Sequence, residues 1–242
     1  MKIAYELIPY ERNQDVVQVS EDIDAKPEAL IASVLDGWND ETKIPGNQPG
    51  REVALYAQAR FPEIFLGLED KDVNKRAQAA AAATDSEVLE RFHPWASSTG
   101  IFLFKLEQQL ALIAVGSIVV YASEGEVWQK PTELKDHGLD LKRHPVDVSR
   151  FFGLGALKSD PFYSAMPDVA TRPLDTSIFI ATDGLESVMS DDELKKQLAN
   201  VRQNEGASFV QTMAELIKQR RDQQKDDCSI LLYTSKQHSA YN

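Results

Sequence analysis

Carboxylates stand directly beside apolar, strand-length runs at three places in the sequence. They are Asp36 in ASVLDGWND, Asp183 in FIATDGLES, and the pair Asp226 and Asp227 in KDDCSILLY. An unpaired carboxylate beside a buried strand is costly to desolvate. Asp-Gly is also a favoured turn dipeptide, so each site taken alone is explained by a turn. The occurrence of three such sites favours a shared chemical role.

A divalent cation would explain why acids gather in this way. The three sites are far apart in the sequence, so only the fold could bring them together. Several carboxylates in one place repel one another unless a cation lies between them. Hard oxygen ligands select Mg²⁺ or Mn²⁺, and a glycine such as Gly37 lets its backbone approach a metal closely. The pattern therefore predicts a site for one of these cations.

The elements that would position the acids fall into separate blocks of strands and helices. Apolar runs of strand length occur near the start of the chain, at 100–128, at 177–184 and at 228–233. Helical periodicity covers 51–91, which Pro62 is expected to divide, and 190–222. This order favours a fold of antiparallel sheets covered by helices. It disfavours a fold in which strands and helices alternate along the chain.

Length and composition favour one domain over several. The 242 residues are expected to form a single domain over 1–234 followed by a tail at 235–242. Residues 129–174 are rich in proline and poor in periodic runs, which predicts a flap-like insertion.

Charge and cysteine content exclude several classes of protein. The chain has 26 Lys and Arg against 38 Asp and Glu, a formal charge of −12, which disfavours nucleic-acid binding. The single cysteine, Cys228, indicates a reducing compartment. The first residues lack the apolar core of a secretory signal, and no apolar run is long enough to span a membrane. We expect a cytoplasmic protein that binds neither nucleic acid nor membrane.

Six short motifs resemble those of the metal-dependent Ser/Thr protein phosphatases, the protein phosphatase 2C (PP2C) family, in the family's order. The family patterns are N-[EQ]-D, D-G-x-G-G, G-[ST]-T, V-G-D-S, T-D-G-[LV] and D-[ND]-x-[ST]. Their counterparts here are Asn13–Asp15, Asp36–Gly37, Ser98–Gly100, Val115–Ser117, Thr182–Leu185 and Asp226–Ser229. The resemblance covers about residues 10 to 233 and is typical of a divergent bacterial member.

The resemblance implies an α+β fold, a four-layer α-β-β-α sandwich of two antiparallel sheets flanked by helices, with two Mg²⁺ or Mn²⁺ ions at one edge. Carried over by position, Asp36 would bridge the two metals and Gly37 would lend its carbonyl. Asp183 and Asp226 would complete the metal ligands, and Asp15 would orient the attacking water. Asp15 and Asp36 are therefore the implied catalytic residues.

The activity implied by the resemblance is hydrolysis of phosphoserine or phosphothreonine by a water activated by two metals. No covalent enzyme nucleophile is needed. The implied partners are a phosphorylated protein as substrate and a Ser/Thr kinase as a candidate partner, with the enzyme itself a monomer.

Departures from the family pattern keep a second function open. Trp38 follows Asp36-Gly37 and cannot serve as a proton donor, and Ser117 replaces an aspartate that would bind a third metal. Tyr10 stands where the family has its phosphate-binding arginine, which leaves Arg12 as the candidate phosphate contact. The alternative is a catalytically impaired pseudophosphatase that acts as a phosphoprotein-binding or regulatory module.

Overall fold

The structure, a computed structural model, describes residues 2–10, 13–20, 26–39, 42–44, 49–116, 118–124, 127–134, 152–153, 165–201, 206–224 and 226–235. Its strands are β1 (Lys2–Ile8), β2 (Val16–Val19), β3 (Ala29–Asn39), β4 (Ala96–Lys105), β5 (Gln109–Val115), β6 (Val119–Glu124), β7 (Val127–Gln129), β8 (Phe152–Gly153), β9 (Asp168–Pro173), β10 (Ile178–Ala181) and β11 (Cys228–Thr234). Its helices are α1 (Pro49–Gly67), α2 (Val73–Arg91), α3 (Gly184–Val188), α4 (Asp191–Leu198) and α5 (Gly206–Gln219).

The strands form two antiparallel sheets. One sheet has the order β1-β11-β10-β6-β7, and the other has the order β2-β3-β4-β5-β9 with β8 paired to β4. Strands that are distant in sequence therefore become neighbours, as when β11 lies between β1 and β10. This pairing places the chain segments just before β2, after β10 and before β11 close together.

Alternation along the strands creates two apolar faces on each sheet, because successive side chains point to opposite faces. In β11, Leu231 and Tyr233 pack between the sheets, whereas Ile230 and Leu232 pack against helices. Residues buried on both faces explain why these strands appear as continuous apolar runs.

Helices cover the two outer faces. On the six-stranded sheet, Phe61 and Phe65 of α1 meet Phe102 and Phe104 of β4, and the rings of Phe61 and Phe102 stack with centroids 4.3 Å apart. On the five-stranded sheet, α3, α4 and α5 bury apolar side chains that include Leu194 and Met213. The four-layer α-β-β-α sandwich and the α+β class expected from the sequence are confirmed.

Pro62 does not divide the first helical block, and that prediction was wrong. Helix α1 runs through Pro62 to Gly67, although the proline has no N–H to donate within the helix. Phe61 and Phe65 are fully buried on either side, and their packing holds the helix together. The division comes at Asp72, which caps α2 by accepting a hydrogen bond from the Asn74 amide at 2.9 Å.

The predicted insertion at 129–174 contributes to the six-stranded sheet where it is described. Within it, β8 pairs with β4 and β9 pairs with β5. Residues 135–151, 154–164 and 236–242 lie outside the described residues, so the division into domain, insertion and tail stays a prediction. No helix among the described residues has the length and apolar character needed to cross a membrane.

Candidate metal centre

Asp15 is buried at the start of β2, with only 1% of its surface exposed. Its Oδ2 accepts a hydrogen bond from the hydroxyl of Thr182 at 2.8 Å. That hydroxyl in turn accepts a hydrogen bond from the amide of Ser229 at 2.9 Å. Thr182 therefore links the acid of the first motif to the strands β10 and β11, which carry the last two motifs.

The loop that leads into Asp15 is held from two sides. The carboxylate of Asp227, itself buried, accepts hydrogen bonds from the amides of Tyr10 at 2.6 Å and Gln14 at 2.5 Å. Arg51 donates from Nη1 to the carbonyl oxygens of Asn13 and Asp15, both at 2.7 Å. These charge-assisted bonds are the strong class of protein hydrogen bond, and they fix the path of the chain before β2.

Asp36 lies inside β3 rather than at its end, because the strand continues to Asn39. It pairs with Thr99 of β4, and its carbonyl oxygen accepts a hydrogen bond from Ser98 Oγ at 2.8 Å. Gly37 follows in a position where a Cβ would lie 2.5 Å from the backbone of Gly50. Only glycine allows this close approach of β3 to the start of α1.

Asp183 and Asp226 meet where β10 ends and β11 begins. Asp183 directly precedes α3, and the Oδ1 of Asp226 accepts a hydrogen bond from the Asp227 amide at 2.8 Å. A Cβ on Gly184 would lie 1.9 Å from the carbonyl oxygen of Asp227. The glycine of the T-D-G-L motif is thus required for the two segments to pack. Asp183 and Asp226 each keep part of their surface exposed to solvent.

The four acids act on one another electrostatically. Burial raises the pKa of Asp36 well above its ordinary value, and the charges of Asp15, Asp183 and Asp226 raise it further. Burial also raises the pKa of Asp15, although its hydrogen bond from Thr182 opposes this. The protein packed around the Asp183 carboxyl raises its pKa to about 6, with Asp226 adding to the effect.

The donor set suits a hard divalent cation. All four acids offer carboxylate oxygens, which Mg²⁺ and Mn²⁺ prefer, and Oδ1 of Asp15 is buried without a hydrogen-bond partner. No group of three or more Asp, Glu, His or Cys side chains in the described part of the chain has the geometry of a metal site as it stands. The fit thus rests on ligand chemistry and on the mutual repulsion of the acids, with side-chain adjustment needed on binding.

The structure places most of the residues singled out from the sequence. Tyr10 is held through its backbone amide by Asp227, and Trp38 is half-buried in β3. Cys228 is fully buried, and burial raises the pKa of its thiol well above its ordinary value, as expected for an inert core residue. Arg12 and Ser117 lie outside the described residues, so their predicted roles stay predictions.

Two residues that organise the site were not predicted. The sequence around Arg51 contains no motif that would distinguish it from any other arginine near the start of a helix. Asp227 belongs to the acids found beside apolar runs, but the sequence predicts no role for it separate from that of Asp226. The available signal for Asp227 was its position directly before a fully buried strand. A carboxylate in that position needs hydrogen-bond donors.

Comparisons with known proteins agree with this architecture. No protein-family profile matches the sequence, and no curated protein sequence matches it. Among solved structures, the S. agalactiae serine/threonine phosphatase is similar, with a TM-score of 0.71 and 13% identity over 97% of this chain and 99% of that chain. The Mycobacterium tuberculosis phosphatase PstP/Ppp has a TM-score of 0.69 and 16% identity over 97% and 98%.

The catalytic domain of the phosphatase PstP, solved in complex with two manganese ions, is also similar. Its TM-score is 0.69 and its identity 15%, over 96% of each chain. The chain therefore has the fold of these bacterial serine/threonine phosphatases. The resemblance drawn from the motifs is confirmed at the level of the fold.

Proposed function

We propose that this protein is a Mg²⁺- or Mn²⁺-dependent phosphatase that hydrolyses phosphoserine or phosphothreonine in proteins. The observation that carries the proposal is the meeting of Asp15, Asp36, Asp183 and Asp226 at one edge of the sandwich, where the charges of the other three act on Asp36. The acids come from four separate segments of the chain. Among the described residues, no cationic side chain is a main cause of the pKa shifts of Asp15, Asp36 and Asp183. Such an arrangement is costly in an isolated protein and is expected where cations bind.

The four acids have two different parts in the proposed mechanism. Asp36, Asp183 and Asp226 would hold two cations, with the carbonyl of Gly37 as a further ligand. When bound, the cations would supply a water of lowered pKa and offset the negative charge of the phosphoryl group. Asp15 would orient the attacking water, because one of its oxygens is fixed by Thr182 and the other has no hydrogen-bond partner.

Leaving-group protonation is assigned to solvent water. The side chain after Asp36-Gly37 is Trp38, which has no titratable proton. Cys228 is excluded as a covalent nucleophile by its burial. The alternative function, phosphoprotein binding without hydrolysis, is not favoured by any contact among the described residues, because the first-motif acid and its support from Thr182 are intact.

The proposal is tested by hydrolysis of p-nitrophenyl phosphate and of a phosphothreonine peptide with Mn²⁺, with EDTA, and with the variant Asp183→Ala. We expect activity that requires Mn²⁺ and falls at least about 100-fold on substitution. The matched control is Asp175→Asn, since Asp175 is an exposed acid beyond the opposite end of β10. Activity that survives both EDTA and Asp183→Ala would rule out the two-metal mechanism.

A further inference from the structure

An arginine from helix α1 bonds to the backbone of the loop that carries Asp15. Tyr10, earlier in the same loop, donates a hydrogen bond from its amide to the carboxylate of Asp227. Arg51, near the start of α1, reaches the same loop a few residues later.

The bonds made by Arg51 define a specific backbone conformation. Nη1 lies 2.7 Å from the carbonyl oxygens of both Asn13 and Asp15. Two carbonyl oxygens directed at one point repel each other unless a donor lies between them. Asn13 has a φ of +53°, a left-handed conformation that asparagine adopts only at some cost. Arg51 therefore stabilises a turn that the loop would adopt less readily alone.

The position of Arg51 is itself tied to the other catalytic segment. A Cβ at Gly50 would lie 2.5 Å from the backbone nitrogen of Trp38, so the start of α1 is packed directly on the residues after Asp36. Arg51 thus extends from a point fixed against β3 to the loop that enters β2. It connects the backbone around Asp36 to the backbone of Asp15.

We propose that Arg51 is a positioning residue that fixes Asp15 relative to Asp36 by holding the turn at Asn13. The inference deepens the proposed phosphatase function and rests on it for its effect on activity. Residues that support metal ligands from outside typically change metal affinity or activity by about 10–100-fold. The expected signature is a lower kcat and weaker Mn²⁺ binding with an unchanged KM, because Arg51 is bonded to the protein backbone rather than to substrate.

The test compares Arg51→Met, Arg51→Lys and the control Arg60→Met. Arg60 lies on the same helix and bonds to Glu87, away from the loop. Three measurements are made on each full-length protein: Mn²⁺ affinity by calorimetry, kcat and KM for p-nitrophenyl phosphate, and metal-free amide hydrogen exchange of residues 13–19. For Arg51→Met we expect about 10-fold weaker Mn²⁺ binding, a kcat lower by about 10–100-fold, and faster exchange.

Arg51→Lys should recover part of each loss, because an ammonium can donate to both carbonyl oxygens, and Arg60→Met should match the wild type in all three measurements. An increase in KM alone, with unchanged exchange and Mn²⁺ affinity, would overturn the positioning role and indicate a phosphate contact. If the wild type neither binds Mn²⁺ nor hydrolyses the substrate, the proposed phosphatase function is wrong, but the positioning role of Arg51 is not yet decided. In that case the exchange measurement alone decides: faster exchange confined to Arg51→Met supports the positioning role, and equal exchange overturns it.

Discussion

The hydroxyl of Thr182 donates a hydrogen bond to Asp15 at 2.8 Å and accepts one from the amide of Ser229 at 2.9 Å. A single oxygen atom therefore connects three strands, β2, β10 and β11, at the edge of the sandwich where the acids lie. Because all three groups are buried, none can exchange this partner for water without a cost.

We expect Thr182→Val to destabilise the protein by about 1–3 kcal/mol, since valine has the same shape but leaves a buried amide and a buried carboxyl oxygen without a partner. Urea unfolding measures the loss. Thr182→Ser is the matched control, because it keeps the hydroxyl and removes only a methyl group. If Thr182→Val is as stable as the wild type, the hydrogen bonds of this hydroxyl do not contribute to stability.

Gly184→Ala should destabilise the protein by about 3 kcal/mol, because its Cβ would lie 1.9 Å from the carbonyl oxygen of Asp227 and backbone must move. The displacement should also weaken Mn²⁺ binding, since Asp183 and Asp226 flank this contact. Gly67→Ala is the control: a Cβ there meets nothing within 4 Å, so equal or slightly higher stability is expected. Thermal denaturation distinguishes the two variants, and a tolerated Gly184→Ala would contradict the close packing.

The strand core was predictable because burial on both faces leaves a continuous apolar run. The segments at 228–233 and 177–184 are examples: β11 and β10 lie near the middle of their sheet, with helices on one side and a second sheet on the other. The acids were predictable for a related reason, since a charge beside such a run is locally unfavourable and needs a compensating role.

Contacts that depend on tertiary packing were not predictable in this way. Local propensity predicts a break at Pro62, but the packing of Phe61 against Phe102 across two elements outweighs one lost hydrogen bond. The contact of Arg51 with the Asp15 loop joins residues that share no local pattern. The role of Asp227 depends on amides of the loop after β1, more than two hundred residues earlier.

Glu87 gives the protein a stability contribution that depends on pH. Its carboxylate on α2 accepts hydrogen bonds from Arg60 and Tyr56 on α1. These bonds lower the pKa of Glu87 to about 2, and the bond from Arg60 has the larger effect. A lowered pKa means that the folded protein holds the charged form more strongly than the unfolded chain. The contribution is therefore present above the ordinary pKa of 4.5 and is lost as the pH falls towards 2.

We expect Glu87→Gln to be less stable than the wild type at neutral pH and to approach it as the pH falls from about 5 to about 2. Urea unfolding at a series of pH values measures the difference. Glu90→Gln, at an exposed position on the same helix, should show a curve parallel to that of the wild type. A constant gap between Glu87→Gln and the wild type over the whole range would refute the assignment.

Asp36→Asn should raise the stability of the metal-free protein and abolish its stabilisation by Mn²⁺. The asparagine keeps the shape but removes the charge whose burial and like-charged neighbours raise the pKa of Asp36, so the metal-free site loses repulsion. With Mn²⁺ at 100 times its Kd, the wild type should gain about 2.7 kcal/mol, which corresponds to roughly 5–10 °C in Tm for a chain of this size.

The variant should gain almost nothing from Mn²⁺ in the same thermal scan, because it lacks one of the carboxylates that would hold the cations. Asp175→Asn, which removes one exposed charge far from the other acids, should respond to Mn²⁺ as the wild type does. Asp36→Asn is thus expected to be more stable than the wild type without metal and to gain less stability with Mn²⁺. This pair of results indicates a cation site, because neutralising an ordinary surface acid changes stability little in either condition. An Asp36→Asn protein that is less stable without metal, or equally stabilised by Mn²⁺, would remove the physical basis for the proposed centre.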